Sequence, residues 1–222
     1  MAEVSAAAVY RVVLGLLFLA SGVALVVYLV ARVSLVLALA LTVGVAVGSG
    51  ALVWRRLAWP GRREAKRRLG VGMVAGLAAT LTYDLARWLA VELGGLEFWP
   101  FEVFPLFGRL LVGSGAPVLV AVVVGTCYHL LNGVSFAVAY ALILGDRGWL
   151  AGVAWAVALE ALMLTLYPGW LHPASLAEFF GVSMLGHLAY GSVLGATSQR
   201  LIGRGSAGPA ESDGNGVLHR GR

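Results

Sequence analysis

Charge is scarce in this chain. Of 222 residues only 12% are Asp, Glu, Lys or Arg, about half the share in a soluble domain, and that shortage excludes an ordinary water-soluble globule. Disorder is excluded too, because a disordered chain needs low hydrophobicity and high charge. There is one cysteine, Cys127, so no intramolecular disulfide can hold the fold. There is one lysine, Lys66, and it sits among other basic residues, which leaves no P-loop and no intramembrane Schiff base. The nucleophile elbow GxSxG and the metal motifs HExxH and CxxC are absent as well.

What is abundant is apolar side chain, 60% of the total. The apolar runs fall at about 9–30, 34–53, 70–91, 117–144, 149–167 and 179–199. At 1.5 Å per residue each can cross a hydrocarbon core of about 30 Å. The expected fold is therefore an all-α integral membrane protein with six transmembrane helices, forming a single domain over residues 1–202. The first two runs are separated only by Ala31-Arg32-Val33-Ser34. One helix through both would be about twice the core thickness, so a tight hairpin at Arg32 is expected. The Ala20-Ser21-Gly22 stretch is compatible with signal-peptide cleavage. The apolar run continues past it to Val30 and Glu3 precedes any basic region, which favours an uncleaved span. Residues 203–222, rich in Gly, Ser and Asp, read as a disordered tail.

The net charge of +5 is unevenly placed. Arg55, Arg56, Arg62, Arg63, Lys66, Arg67 and Arg68 crowd between the second and third runs, a pattern expected of a cytoplasmic loop facing anionic lipid headgroups. Nucleic acid is not an expected partner, since no reading element accompanies the cluster. With that loop inside, six spans place both termini in the cytoplasm of an inner-membrane protein. Arg11, Arg147, Arg200, Arg204, Arg220 and Arg222 then also fall inside, and only Arg32 and Arg109 lie outside.

The outer connections differ in character. Residues 93–116 are dense in aromatics and prolines. An interfacial aromatic belt is the favoured reading, with a lid or short re-entrant helix over a cavity as the alternative. In the other connection, Ser175 followed by Glu178 forms a capping box that opens the last span, and His172 reads as a solvated loop residue.

The last four runs contain an internal echo. AGLAATLTYD, ending at Asp84, is matched by AGVAWAVALE, ending at Glu160, and HLLNG from His129 is matched by HLAYG from His187. Helices 3–4 and 5–6 then form a parallel pseudo-twofold repeat about an axis along the membrane normal. Gly133 and Gly191 lie one turn from their histidines, and these, with Gly76 and Gly152, let helices approach closely. The histidine faces should therefore point inward, with Asn132 and Tyr190 extending the polar face.

Counted from the outer helix ends, Asp84, Glu160 and His187 lie about 10–12 Å deep and His129 about 15–18 Å. An ionised side chain at mid-bilayer costs at least about 2.5–3.5 kcal/mol, so these four groups must pair, protonate or bind something. One reading is purely structural: Asp84 pairs with Arg87, the histidines bond to carboxylates or to Asn132 and Tyr190, and the chain serves as a non-catalytic assembly subunit. A second is a site that binds and translocates a proton, cation or small solute, with Asp84, Arg87, His129, Asn132, Glu160, His187 and Tyr190 as ligand or relay groups. A third is a membrane-embedded enzyme. There Asp84, His129, Glu160 and His187 would hold a divalent metal, or the two histidines a haem. Ser183, one turn before His187, is expected to bond its own helix backbone. The lipid bilayer is an expected partner in every case, and self-association or a partner membrane subunit is compatible with each.

Overall fold

The computed structural model describes residues 2–171, 173 and 175–204. Among these, regular structure is entirely helical: α1 (Ala2–Leu17), α2 (Ala20–Ala31), α3 (Leu35–Arg56), α4 (Trp59–Gly94), α5 (Val103–Val112), α6 (Val118–Ile143), α7 (Trp149–Leu166), α8 (Pro168–Leu171) and α9 (Leu176–Arg204), with one 3₁₀ turn at Pro100–Glu102. Five of these, α3, α4, α6, α7 and α9, are long and apolar enough to cross a membrane. The pair α1 and α2 passes the same test jointly but is bent by 48°. The helix α9 continues to Arg204, two residues into the segment expected to be tail. His172 and the remaining tail residues, 205–222, lie outside the described residues.

The first apolar run is thus two helices rather than one rod. Phe18 and Leu19 donate to the carbonyls of Gly15 and Leu16, a three-residue spacing that tightens the end of α1 before the chain changes direction. The bend seats Gly22 against the Phe136 ring, where a Cβ would lie 2.5 Å from Cζ. The expected hairpin follows α2. Arg32 adopts a left-handed conformation (φ 56°) and its N–H donates to Tyr28 O, while Ser34 Oγ accepts from Leu37 N at 3.3 Å to cap α3. Ser34 is the helix-start signal that stands in for the missing Gly or Pro.

The basic stretch is not a loop. Pro60, at the first turn of α4, starts a helix of 36 residues that carries Arg62 to Arg68 on its opening turns. Such a helix is about 54 Å long, far more than a hydrocarbon core, so its first turns extend beyond the apolar region. There Arg62 donates to Trp54 O, Arg67 to Ile202 O and Arg68 to Ala141 O, and Arg68 also reaches Asp146 at 3.4 Å. Burial works against the charge on Asp146, yet a backbone hydrogen bond and Arg68 hold its carboxyl below the usual carboxylate range. The ends of α3, α6 and α9 and the starts of α4 and α7 therefore gather at one basic end.

At the opposite end the chain folds back into the bundle. A Cβ on Gly108 would run into the Ala121 carbonyl, and one on Gly125 into the Phe104 carbonyl. These approaches make α5 and α6 antiparallel, with Phe104 level with Gly125. On another face of α6, Gly133 meets Thr80 and His129 meets Asp84, which sets Arg87 at nearly the same level. Pro100 O accepts from Arg87 Nη2 at 3.0 Å, so the 3₁₀ turn lies about 10 Å below the end of α4. Glu178 Oε2 accepts from Phe98 N at 2.9 Å and ties the descending strand to α9, while Glu178 N donates to Ser175 Oγ in the expected cap. Residues 95–112 thus form a segment that re-enters the bundle alongside α6, the shape of the alternative reading of the sequence. Non-helical backbone is tolerated at such depth only where protein covers it.

Two substitutions test this architecture. Arg32→Gly removes the strain of a left-handed non-glycine residue and should stabilise the protein by about 1 kcal/mol, read as a higher thermal midpoint. Gly125→Ala should destabilise it by about 1–3 kcal/mol or more, because the α5–α6 seam has no space for a methyl group. Limited proteolysis should then show increased cleavage in the 95–112 segment.

Candidate functional site

The four helices α4, α6, α7 and α9 pair through small residues, as their sequence spacing predicts. Gly76 packs on Ala137 and Thr80 on Gly133 between α4 and α6. Gly152 packs on Gly195 and Ala156 on Gly191 between α7 and α9. These are corresponding positions of the two sequence echoes. Each seam carries one carboxylate–imidazole contact. His129 Nε2 lies 3.0 Å from Asp84 Oδ2, and His187 Nδ1 lies 2.8 Å from Glu160 Oε2. Side-chain exposure is 19% for Asp84, 15% for His129, 13% for His187 and 0% for Glu160, so none of the four faces lipid freely.

The pairs are joined by a residue that the sequence reading did not single out. The Tyr83 ring stands 5.9 Å from the His129 ring and 4.9 Å edge-on from the His187 ring. The Arg87 guanidinium carbon sits 4.7 Å above Tyr83, a cation–π arrangement. Thr80, Tyr83, Asp84 and Arg87 follow the i, i+3, i+4, i+7 rule, so the α4 polar stripe was legible in the sequence. Tyr190, from α9, donates to Gly133 O on α6 at 2.6 Å and ties the two helix pairs together.

Beside these groups lies a cavity of about 540 Å³. Tyr83, Arg87, His129, Asn132, His187 and Tyr190 contribute to its wall, whereas Asp84 and Glu160 stand behind the histidines. Much of the remaining wall is apolar, including Phe98, Phe136, Leu162, Met163 and Phe179. The polar face is therefore one patch of a largely greasy chamber, the usual make-up of a small-molecule pocket.

Hydrogen-bond geometry assigns the imidazole protons. Ser183 O, which can only accept, lies 3.0 Å from His187 Nδ1, so Nδ1 carries the hydrogen and Nε2 is left toward the cavity side. In His129 it is Nε2 that meets a carboxylate, leaving Nδ1 free. The carboxylates also differ. Asp84 has Arg87 Nη1 at 3.8 Å as a countercharge. Among the described residues no arginine pairs with Glu160, whose Oε2 accepts from Ser183 Oγ at 3.0 Å; one oxygen of each carboxylate, Asp84 Oδ1 and Glu160 Oε1, is buried without a hydrogen-bond partner.

Several sequence expectations are revised here. Asp84 meets Arg87 only at long range, and its short contact is with His129. Asn132 lines the cavity but bonds neither histidine, and its Oδ1 is buried without a partner. Ser183 bonds Glu160 and not its own helix. The four-residue metal set does not form. Among the described residues no group of three His, Cys, Asp or Glu side chains converges, because the pairs lie on different helix seams with Tyr83 between the imidazoles.

Long apolar helices enclosing a polar-patched chamber define a polytopic helical protein of membrane type. Residues 66–207 match the model of a family of unknown function, DUF6789, and the chain belongs to that family. The match covers nearly all of α4 and everything through α9, and leaves α1 to α3 outside. Comparison with curated proteins and with solved structures gives no match.

Imidazole ¹⁵N spectra of the full chain in lipid should show opposite neutral tautomers, Nε2–H in His129 and Nδ1–H in His187. Glu160→Gln should shift only the His187 signals and Asp84→Asn only those of His129. A common tautomer, or one substitution moving both rings, would contradict the pairing.

Proposed function

We propose that this chain is a six-span inner-membrane protein, with both termini cytoplasmic, that binds a small solute in an outer-half cavity and exchanges a proton there. The sixth span is the bent pair α1–α2. The orientation follows from the basic end, since cytoplasmic segments carry the excess of Arg and Lys. The cavity then lies in the outer half, beneath the re-entrant segment. The matching contacts of α4–α6 and α7–α9 support a duplicated hairpin, with one carboxylate and one imidazole per copy.

A difference in charge between the copies carries this reading. Asp84 and Arg87 together are neutral, so His129 completes an uncharged group without taking a proton. Glu160 has no such partner. The Glu160–His187 pair is uncharged only when it holds one additional proton, and without it a lone carboxylate remains buried among helices. Carrying net charge in that setting is costly. His187 also borders the cavity, so the pair is placed to exchange its proton with a bound molecule. Arg87, His129, Asn132 and Tyr190 form the recognition side of the same chamber, and Asp84 orients His129.

A second reading has one observation in its favour: each carboxylate–imidazole bond joins helices of the same seam, as a purely register-fixing contact would. Proteoliposomes separate the two. Under an imposed pH gradient, wild-type protein should collapse the gradient several-fold faster than protein-free vesicles, and Glu160→Gln should remove most of that excess while retaining its fold. Asp84→Asn should act mainly on thermal stability. Gradient decay that is identical in wild type, Glu160→Gln and empty vesicles would leave only the register-fixing role.

A further inference from the structure

The two ends and the sides of the cavity differ in make-up. Toward the non-basic end its wall is rich in aromatic side chains, Phe98, Trp99, Phe107 and Tyr167, and Phe107 stacks on Trp170 at 5.9 Å. The re-entrant segment adds Pro100, fixed by Arg87. The sides are different. The chamber is lined by α2 and by α7, yet α7 packs mainly on α9 and α2 mainly on α3 and α6. Val23 on α2 and Leu162 on α7 both line the cavity and remain 46% and 51% exposed. They mark the lips of a seam that faces the acyl chains of a bilayer. Two exposed carboxylates, Glu97 and Glu102, border the cavity from the re-entrant segment and disfavour an anion arriving from water.

Resting on the cavity reading above, we infer that the ligand is a lipid-soluble molecule with an apolar body and one acidic oxygen head, admitted sideways between α2 and α7. The chemistry of the head follows from the wall. Asp84 holds His129 Nε2, and Ser183 O and Glu160 hold His187 Nδ1; in these tautomers His129 Nδ1 and His187 Nε2 carry the lone pairs, and among the described residues neither has a hydrogen-bond partner. A bare imidazole nitrogen accepts an O–H. Arg87 then stabilises the oxygen left behind when that proton moves to the ring. The balance is simple: the O–H bond breaks, the imidazole gains an N–H, and the head stays as an oxyanion beside the guanidinium. An ammonium head meets Arg87 as a like charge, and a neutral hydrocarbon leaves both nitrogens unpaired. The apolar wall receives the rest of the molecule.

Carboxylic acids and phenols share this chemistry, and the test has an arm for each. Full-length protein in phosphatidylcholine nanodiscs is titrated with decanoic acid, with an alkylphenol of matched length and with decylamine. At least one acidic probe should bind about tenfold or more tighter than the amine, the effect of one charge-assisted hydrogen bond. At a pH where the free carboxylic acid is ionised, its binding to wild type should take up about one proton per molecule, whereas the phenol should take up none. His129→Gln with His187→Gln should weaken the acidic probe about tenfold while leaving decylamine binding to the same folded variant unchanged. Val23→Trp should slow association several-fold. Amine binding equal to both acids, or acid binding unaffected by the histidine changes, would overturn the head chemistry. An association rate untouched by Val23→Trp would overturn the sideways route. If no acidic probe binds while Glu160→Gln still alters gradient decay, the ligand class falls and the proton-exchanging cavity stands; if both measurements are negative, both fall.

Discussion

The structure depends on one contact made twice: a carboxylate meeting an imidazole across a seam of small residues. Small side chains bring the backbones of α4 and α6, and of α7 and α9, close enough for short polar groups to reach across. In hydrocarbon there is no hydrophobic drive between helices, so shape and hydrogen bonding must hold them. The contact then removes the very groups that would oppose insertion, because Asp84, His129, Glu160 and His187 all lie inside the protein. Tyr83 fills the space between the two copies, and Tyr190 ties them together by donating to the Gly133 carbonyl.

The two carboxylate–imidazole pairs differ in the ring nitrogen that makes the contact, Nε2 in His129 and Nδ1 in His187, and in the charge around them. Arg87 neutralises the first copy and is itself held by the Pro100 carbonyl and the face of Tyr83. The second copy has only a serine in the corresponding neighbourhood, through Ser183 and Glu160. A buried carboxylate without a countercharge is a cost, and that cost falls on Glu160 and not on Asp84. In the proposed function the less compensated pair, beside the cavity, is the one that exchanges a proton. The segment 95–112 completes the arrangement: it adds Phe98, Pro100 and Phe107 to the chamber wall, while α2 and α7 line the chamber from the side, so the chamber is largely greasy.

Much of this was legible in the chain. The apolar runs mark the five long helices to within a few residues at most ends, and the turn at Arg32 is required by the length of the first two runs. The A-G-x-A and H-L-x-x-G echoes name the residues that meet, down to which acid helix partners which histidine helix. Helical spacing also contains Tyr83, once the stripe from Thr80 to Arg87 is followed in full. Other features were not legible. Composition cannot separate a basic loop from the overhanging turns of a long helix, since both are polar and solvated. The 93–116 stretch has the aromatics of a surface belt, and only the close approach of Gly108 and Gly125 to α6 backbone reveals that it turns inward.

The linear order of residues therefore determined the kind of protein, its apolar rods and the pairing of acid with imidazole, because those rest on short-range periodicity and on the cost of charge in hydrocarbon. Tertiary structure alone decided that the four groups stay as two pairs and do not converge on a metal. It also decided that Arg87 pairs with Asp84 and not with Glu160, and that α2 and α7 both line the chamber. These outcomes depend on helix rotation and on a fold-back of the chain, and neither is encoded in any local window of sequence.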